Sequence, residues 1–222
     1  MPIVKGDIWP QAMNSMYRME WEGQLDYLLL MGGDDPRTPI KNITRKYNEA
    51  RDMALRMGYD ALMTQESDII VPRDALKRLA GVHADVAYGL YIWRRGAYFW
   101  NAYSMFTEKR GRSISRDPDM AREAWGKVIE TKGVGTGCTL IHRHVLEALP
   151  FRDVPSTKGT CDCGLTFNCQ EAGLVQKHDL GVICGHIERN LGLEGTGKGY
   201  PQLPTIVWPD ITKEEFYRID EI

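Results

Sequence analysis

Ala61-Leu62-Met63-Thr64-Gln65-Glu66-Ser67-Asp68-Ile69-Ile70-Val71-Pro72 is the stretch that decides the fold. Asp60 to Thr64 reads as a buried strand that ends at acidic residues. In open α/β sheets, ligands gather outside the carboxyl ends of strands. Residues i and i+2 of an extended segment point the same way, so Glu66 and Asp68 are expected to converge. Two carboxylates there suit a hard divalent ion, Mn²⁺ or Mg²⁺, and such an ion suits a diphosphate. The plainer reading is a solvated turn with an acid capping the next helix, because an acid-x-acid triplet alone is a weak signal.

Upstream, Pro2 to Val4 is a short strand candidate. Gln24 to Met31 is a stronger one, running into Gly32-Gly33-Asp34-Asp35. Between Ile40 and Met57, apolar residues Ile43, Tyr47, Ala50, Ala54 and Met57 recur at three- and four-residue steps, which predicts a helix closed by Gly58. Downstream, Arg73 to Leu79 reads as a helix and Asp85 to Trp93 as a strand. Strand–helix–strand–helix–strand predicts an α/β fold with a parallel sheet covered on both faces. Ala97 to Phe106 is aromatic-rich and strand-like, and Lys109 to Pro118 reads as a mobile basic loop. Trp125 to Glu130 alternates like a strand, Arg143 to Leu149 and Leu165 to Ala172 read as helices, and Val182 to Ile187 reads as the last strand. Glycine and proline dominate 192–204, so 192–222 is expected as an extended tail on a single domain spanning 1–222.

Three further groups could carry chemistry. Asp162 falls just before the predicted helix at Leu165, where a carboxylate serves either as an N-terminal cap or as a general base at a cleft rim. His186 closes an apolar strand, a place where a lone histidine is more often structural than a ligand. Gly133-Val134-Gly135-Thr136-Gly137 permits close approach of backbone to a ligand, or simply makes a tight turn, and it lacks the lysine of a P-loop. The five cysteines form no paired C-x-x-C knuckles, so a zinc site is disfavoured, and their odd number argues against a complete disulfide framework.

Composition narrows the classes. With a formal net charge of −2, no global positive field draws the chain to nucleic acid or anionic membrane. The longest apolar runs are too short to span a bilayer, and the first residues lack the pattern of a signal peptide, so a cytoplasmic location is expected. The aromatic and basic stretch from Arg94 to Arg116 could stack on a sugar or base, or be core plus a solvated loop.

Taken in order, Gly32-Gly33-Asp34-Asp35, Asn48-Glu49-Ala50-Arg51, Glu66-Ser67-Asp68-Ile69-Ile70-Val71-Pro72, Tyr88-Gly89-Leu90-Tyr91, Gly135-Thr136-Gly137 before Leu140-Ile141, then Asp162, Gly173 and His186, resemble the GT-A glycosyltransferases. The likeness is to short, family-2-like members from bacteria and their phages, and covers roughly residues 24–187. It implies a GT-A, Rossmann-like α/β/α sandwich with a mostly parallel mixed sheet. It also implies a metal-dependent inverting glycosyltransferase with a nucleoside-diphosphate sugar, a UDP-sugar foremost, as donor. In that reading Asp68 and His186 hold Mn²⁺ or Mg²⁺, and Glu66 reaches the metal or the donor ribose. Asp34 or Asp35 recognises the base, Asn48, Arg45, Gly135 and Gly137 line the donor site, and Asp162 is the catalytic base. The sequence departs from the pattern in three places. Glu66 stands where Asp is commoner, Cys161 replaces the acid before Asp162, and Tyr47 stands where an arginine is usual, leaving Arg45 or Lys46 as substitutes. As acceptor the resemblance implies a hydroxyl of a glycan, or of a modified DNA base in a phage setting, although the net charge gives nucleic acid no support. The alternatives are a nucleotidyltransferase of similar fold and a non-enzymatic zinc- or carbohydrate-binding module.

Overall fold

The computed structural model describes residues 8–32, 35, 37–93, 99–133, 135–154, 161–188, 204–212 and 216–221. The expected strand at Pro2 to Val4 lies outside them. Helix α1 is Pro10–Tyr17 and α2 is Pro39–Met57. As the periodicity predicts, α2 buries Tyr47, Ala50 and Ala54. Gly58 ends it at φ 80°, its N–H and that of Tyr59 returning to the Leu55 and Ala54 carbonyls. Strands β1 (Ala61–Gln65) and β2 (Ile69–Ile70) follow, then α3 (Ala75–Ala80) and β3 (Val86–Leu90).

The next stretch is β4 (Ala102–Phe106), β5 (Gly111–Ser113), a 3-10 turn at Ile114–Arg116, α4 (Pro118–Ala124), β6 (Val128–Glu130) and β7 (Lys132–Gly133). The expected mobile loop over Lys109 to Pro118 is therefore a strand and a 3-10 turn. Buried Ser113 and Ile114 hold it down, Ser113 Oγ donating to the Trp100 carbonyl at 2.8 Å. Then come β8 (Cys138–His142), α5 (Arg143–Ala148), α6 (Cys161–Glu171), β9 (Gln176–Ile183), β10 (Gly185–Glu188), β11 (Thr205–Pro209) and β12 (Tyr217–Glu221).

The architecture is α/β with mixed sheets. The main sheet runs β1-β8-β3-β9-β6. Only β3–β9 is a parallel pair; β1–β8, β3–β8 and β6–β9 are antiparallel. The expectation of a mostly parallel sheet is thus corrected. β1 and β3 do run in the same direction, but β8 lies between them, and no local pattern announces a strand inserted from fifty residues away. Side chains alternate across the sheet. Ala87 and Leu140 face α3 in one apolar cluster, while Val86, Tyr88 and Ile141 face Tyr47, Ala54, Val145 and Leu165 from α2, α5 and α6 in another. Helices therefore cover both faces, and each fully buried Leu, Ile or Val contributes about 1.5–3 kcal/mol.

Two sequence expectations fail at the edges. Gln24 to Met31 forms no strand, only an isolated bridge at Leu30. Val182 to Ile187 is not the last strand: the chain breaks at Cys184 and returns as β10, joined by β11 and β12 in an antiparallel sheet of order β12-β11-β10-β2. Within the expected tail, 205–209 and 217–221 are thus paired strands, and 189–203 lies outside the described residues. A third sheet, β5-β4-β7, packs with α4 and the C-terminal hairpin around Trp100, Ile114, Ala121, Leu180, Val207 and Phe216. Among the described residues, no helix is long and apolar enough to cross a membrane.

Candidate functional site

Register explains the central pair. β10 lies antiparallel to β2 with His186 opposite Ile69, and Ile187 N–H donates to the Asp68 carbonyl at 2.8 Å. That pairing sets His186 Nε2 3.8 Å from Asp68 Oδ1. Both side chains are nearly buried, at 5% and 13% exposure. His186 Nδ1 lies 2.6 Å from the Ile92 carbonyl, which can only accept, so Nδ1 carries the hydrogen. Nε2 is therefore the ring nitrogen turned towards the Asp68 carboxylate. A histidine whose tautomer is fixed by a backbone carbonyl is the arrangement that metal-ligating histidines use.

Glu66 reaches the site differently from what an extended segment predicts. Ile69 N–H donates to the Glu66 carbonyl at 3.1 Å, so 66–69 is a tight turn and the i, i+2 alignment with Asp68 does not arise. Glu66 is tied instead to the glycine turn. Its N–H donates to the Gly137 carbonyl at 3.2 Å, and Thr136 Oγ1 donates to Glu66 Oε1 at 3.4 Å.

The glycines serve an aromatic neighbour. Gly135 adopts φ 103°, and a Cβ there would sit 1.8 Å from the Tyr91 hydroxyl; one at Gly137 would sit 3.0 Å from the same ring. Gly137 N–H donates to that hydroxyl at 3.3 Å. The Tyr91 ring is buried and meets the His186 ring edge-on at 5.9 Å. Burial, then the charge of Glu66, then that of Asp162 push the Tyr91 hydroxyl well above its usual range. Both carboxylates thus bear on one phenol. Tyr91 is not among the expected site residues, although it closes the Tyr88-Gly89-Leu90-Tyr91 segment on which the resemblance partly rests.

Asp162 lies inside α6, as its second residue, not before the helix. It is 7% exposed, and its Oδ1 accepts the Cys163 N–H at 2.8 Å. Gly164 stands in this first turn. Its reason is packing, since a Cβ there would lie 2.0 Å from the Arg152 carbonyl oxygen. Thr166 Oγ1 donates to the Gly133 and Asp162 carbonyls, fastening this first turn to the glycine segment. Burial, followed by the Asp162 charge, raises Cys161 well above the usual thiol range and Cys163 to about 12; burial raises Cys169 to about 12.

The expected donor-side residues are more dispersed. Asp34 lies outside the described residues. Asp35 is held below the usual carboxylate range by hydrogen bonds from Arg37. Arg45 is exposed, pairs with Glu49 and reaches the Gly32 carbonyl at 3.4 Å. Asn48 spends its amide on the chain itself: Nδ2 donates to the Phe151 and Thr44 carbonyls and Oδ1 accepts the Phe151 N–H. That makes it a clamp on the 151–153 segment. Lys46 is fully buried beside Tyr47. Among the described residues, no group of three or more His, Cys, Asp or Glu side chains is arranged to hold a metal ion.

Comparison of the sequence with protein families and with curated proteins finds no match. In fold, 13 chains of solved structures match, among them the "Crystal Structure of A197 from STIV". Its TM-score is 0.55 at 16% identity, covering 83% of this chain and 82% of that one. At such identity the likeness extends to the fold and no further.

Proposed function

We propose that the chain is a metal-dependent inverting glycosyltransferase on a GT-A-type scaffold, taking a sugar from a nucleoside-diphosphate donor, a UDP-sugar foremost, to an acceptor hydroxyl. The observation that carries the reading is the opposition of Asp68 and His186 Nε2 at 3.8 Å, with the imidazole tautomer fixed by Ile92. A hard carboxylate oxygen and an imidazole nitrogen fit Mn²⁺ or Mg²⁺. Two protein ligands suffice where phosphate oxygens and waters complete the shell, as is usual for Mg²⁺ at phosphate sites. When bound, such an ion supplies stabilisation of the charge that develops on a departing diphosphate.

The chain's own groups divide the remaining work. Asp162, buried in the first turn of α6 with Oδ1 accepting the Cys163 N–H, takes the proton of an acceptor hydroxyl as the hydroxyl oxygen attacks the anomeric carbon. Attack opposite the leaving group inverts the configuration. Glu66, oriented by Thr136, reaches the donor ribose. Tyr91 keeps the glycine turn and the His186 ring in fixed relation.

Nucleotide titration tests this. UDP is expected to bind the parent protein far more tightly with Mn²⁺ than without it. Asp68→Ala removes that dependence, and His186→Ala weakens Mn²⁺ affinity about 10- to 100-fold, with cooperative melts retained. UDP binding by the parent that ignores Mn²⁺, or that survives Asp68→Ala undiminished, would sink the assignment.

A further inference from the structure

At the end of β3 the backbone is held from both sides, and the sides alternate with the residues. The carbonyls of Leu90 and Ile92 point towards β10: Cys184 N–H donates to the first at 2.8 Å, and His186 Nδ1 to the second at 2.6 Å. Gly89 and Tyr91 turn their polar groups the other way, and there a single residue receives them. Asn101 Oδ1 accepts the Tyr91 N–H at 3.0 Å, and Asn101 Nδ2 donates to the Gly89 carbonyl at 3.0 Å. The Asn101 backbone N–H donates to the Tyr91 carbonyl, also at 3.0 Å. Asn101 is wholly buried.

Neighbouring β8 pairs with β3 only as far as Tyr88, and 99–101 takes over at Ile92, opposite Trp100. Asn101 fills the gap between the two. A primary amide offers a donor and an acceptor in one plane, as a peptide unit does, so it continues the ladder where no strand lies. An apolar side chain of that size would leave the Tyr91 N–H and the Gly89 carbonyl buried without partners. The asparagine is itself anchored through Trp100, which is wholly buried. Trp100 N–H donates to Ser115 Oγ at 3.1 Å, and the Trp100 carbonyl accepts from Ser113 Oγ at 2.8 Å. Its indole N–H donates to the Phe216 carbonyl at 3.3 Å.

Two groups that surround His186 hang on this post. The Ile92 carbonyl fixes the hydrogen on His186 Nδ1, and the Tyr91 ring meets the His186 ring edge-on at 5.9 Å. We propose that Asn101 is the positioning residue of the Asp68–His186 site: by holding 89–91 in place of a strand, it sets the orientation and the tautomer with which His186 faces Asp68. As a role in metal binding, this rests on the reading of that pair given above.

The tautomer is read directly from ¹⁵N spectra of the imidazoles in the metal-free protein at about pH 8, where an ordinary histidine is neutral. The chain has five histidines, and the ring signals missing from His186→Ala identify His186. The parent is expected to show one tautomer, with the hydrogen on Nδ1. Asn101→Ala shows both, and its Mn²⁺ affinity falls about 10-fold, the lower end of what losing an outer partner of a metal ligand costs. Asn168→Ala removes another buried amide, whose side-chain hydrogen bonds go to Arg152 and Pro150, and keeps the parent's tautomer and Mn²⁺ affinity. A less stable Asn101→Ala that retains the single tautomer and the parent's Mn²⁺ affinity overturns the proposal, as do equal Mn²⁺ losses in both variants. Should Asn101→Ala not fold, Asn101→Ser, whose hydroxyl replaces part of the amide, is judged by the same readings. Failure of both to fold overturns the proposal too, leaving Asn101 a structural residue. Mixed tautomers in Asn101→Ala, in a parent that binds no Mn²⁺, support the positioning and overturn the metal reading instead.

Discussion

At the scale of single residues, Asp162 separates structure from chemistry most cleanly. Its Oδ1 accepts the Cys163 N–H in the first turn of α6, a bond that an asparagine oxygen makes equally well. An amide, however, cannot take a proton from an acceptor hydroxyl. Asp162→Asn is therefore expected to keep its melting temperature and donor affinity while turnover falls roughly 10²- to 10⁴-fold. Paired melts, UDP titration and a transfer assay decide it. Turnover within a few-fold of the parent would leave Asp162 as a helix-terminal acceptor and nothing more. Tyr91 carries the complementary lesson. Its ring is what Gly135 and Gly137 make room for, so two glycines that suggest ligand approach in the sequence are already occupied by the protein's own side chain.

At the scale of elements, β9 shows what holds the site's frame. Arg78 of α3 forks onto Asp179, Nε to Oδ2 at 2.9 Å and Nη2 to Oδ1 at 2.6 Å, while Nη1 donates to the Gly181 carbonyl. The pair sits where the β3–β9 register shifts, between Gly89 and Leu90, just before the chain turns into β10 and His186. Asp179 is 5% exposed, so removing the cation leaves a buried carboxylate, and Arg78→Met is expected to cost about 3 kcal/mol in urea unfolding. A loss under about 1 kcal/mol would class the pair with ordinary surface bridges. Such long-range ties mark the limit of what the sequence discloses. Helix α2 and its Gly58 cap, β1 and β3 are legible because their signals are local: a 3.6-residue apolar period, a left-handed glycine, short apolar runs. The insertion of β8, the β2–β10 register that joins Asp68 to His186, and the early start of α6 depend on partners far along the chain. Asp68 and His186 could be paired beforehand only through family resemblance, since nothing in either strand's own pattern selects the other.

At the scale of the whole molecule, the buried polar spine under α6 makes the fold's stability depend on pH. His178 is wholly buried, stacked on Tyr88 at 4.9 Å, with Nδ1 2.7 Å from Thr131 Oγ1. Burial alone lowers its pKa from 6.5 to about 3. Between those values the unfolded chain binds a proton that the folded chain refuses, so stability is full above pH 6.5 and declines as the pH falls towards 3. From pH 7 to pH 5 the shift spans about 1.5 pH units, or about 2 kcal/mol at 1.36 kcal/mol per unit. Urea unfolding at pH 7, 6 and 5 should show the parent losing about that much more than His178→Asn, which does not titrate. Parallel losses in the two proteins would mean that His178 is not held neutral. The loss should also appear first near the site. Tyr88 donates to Gln176 Oε1, Gln176 Nε2 donates to the Thr166 carbonyl, and Thr166 fastens the turn that carries Asp162. A proton forced onto His178 therefore works against the stack that supports α6, and amide exchange in 161–166 should quicken at pH 5 before exchange in α2 does.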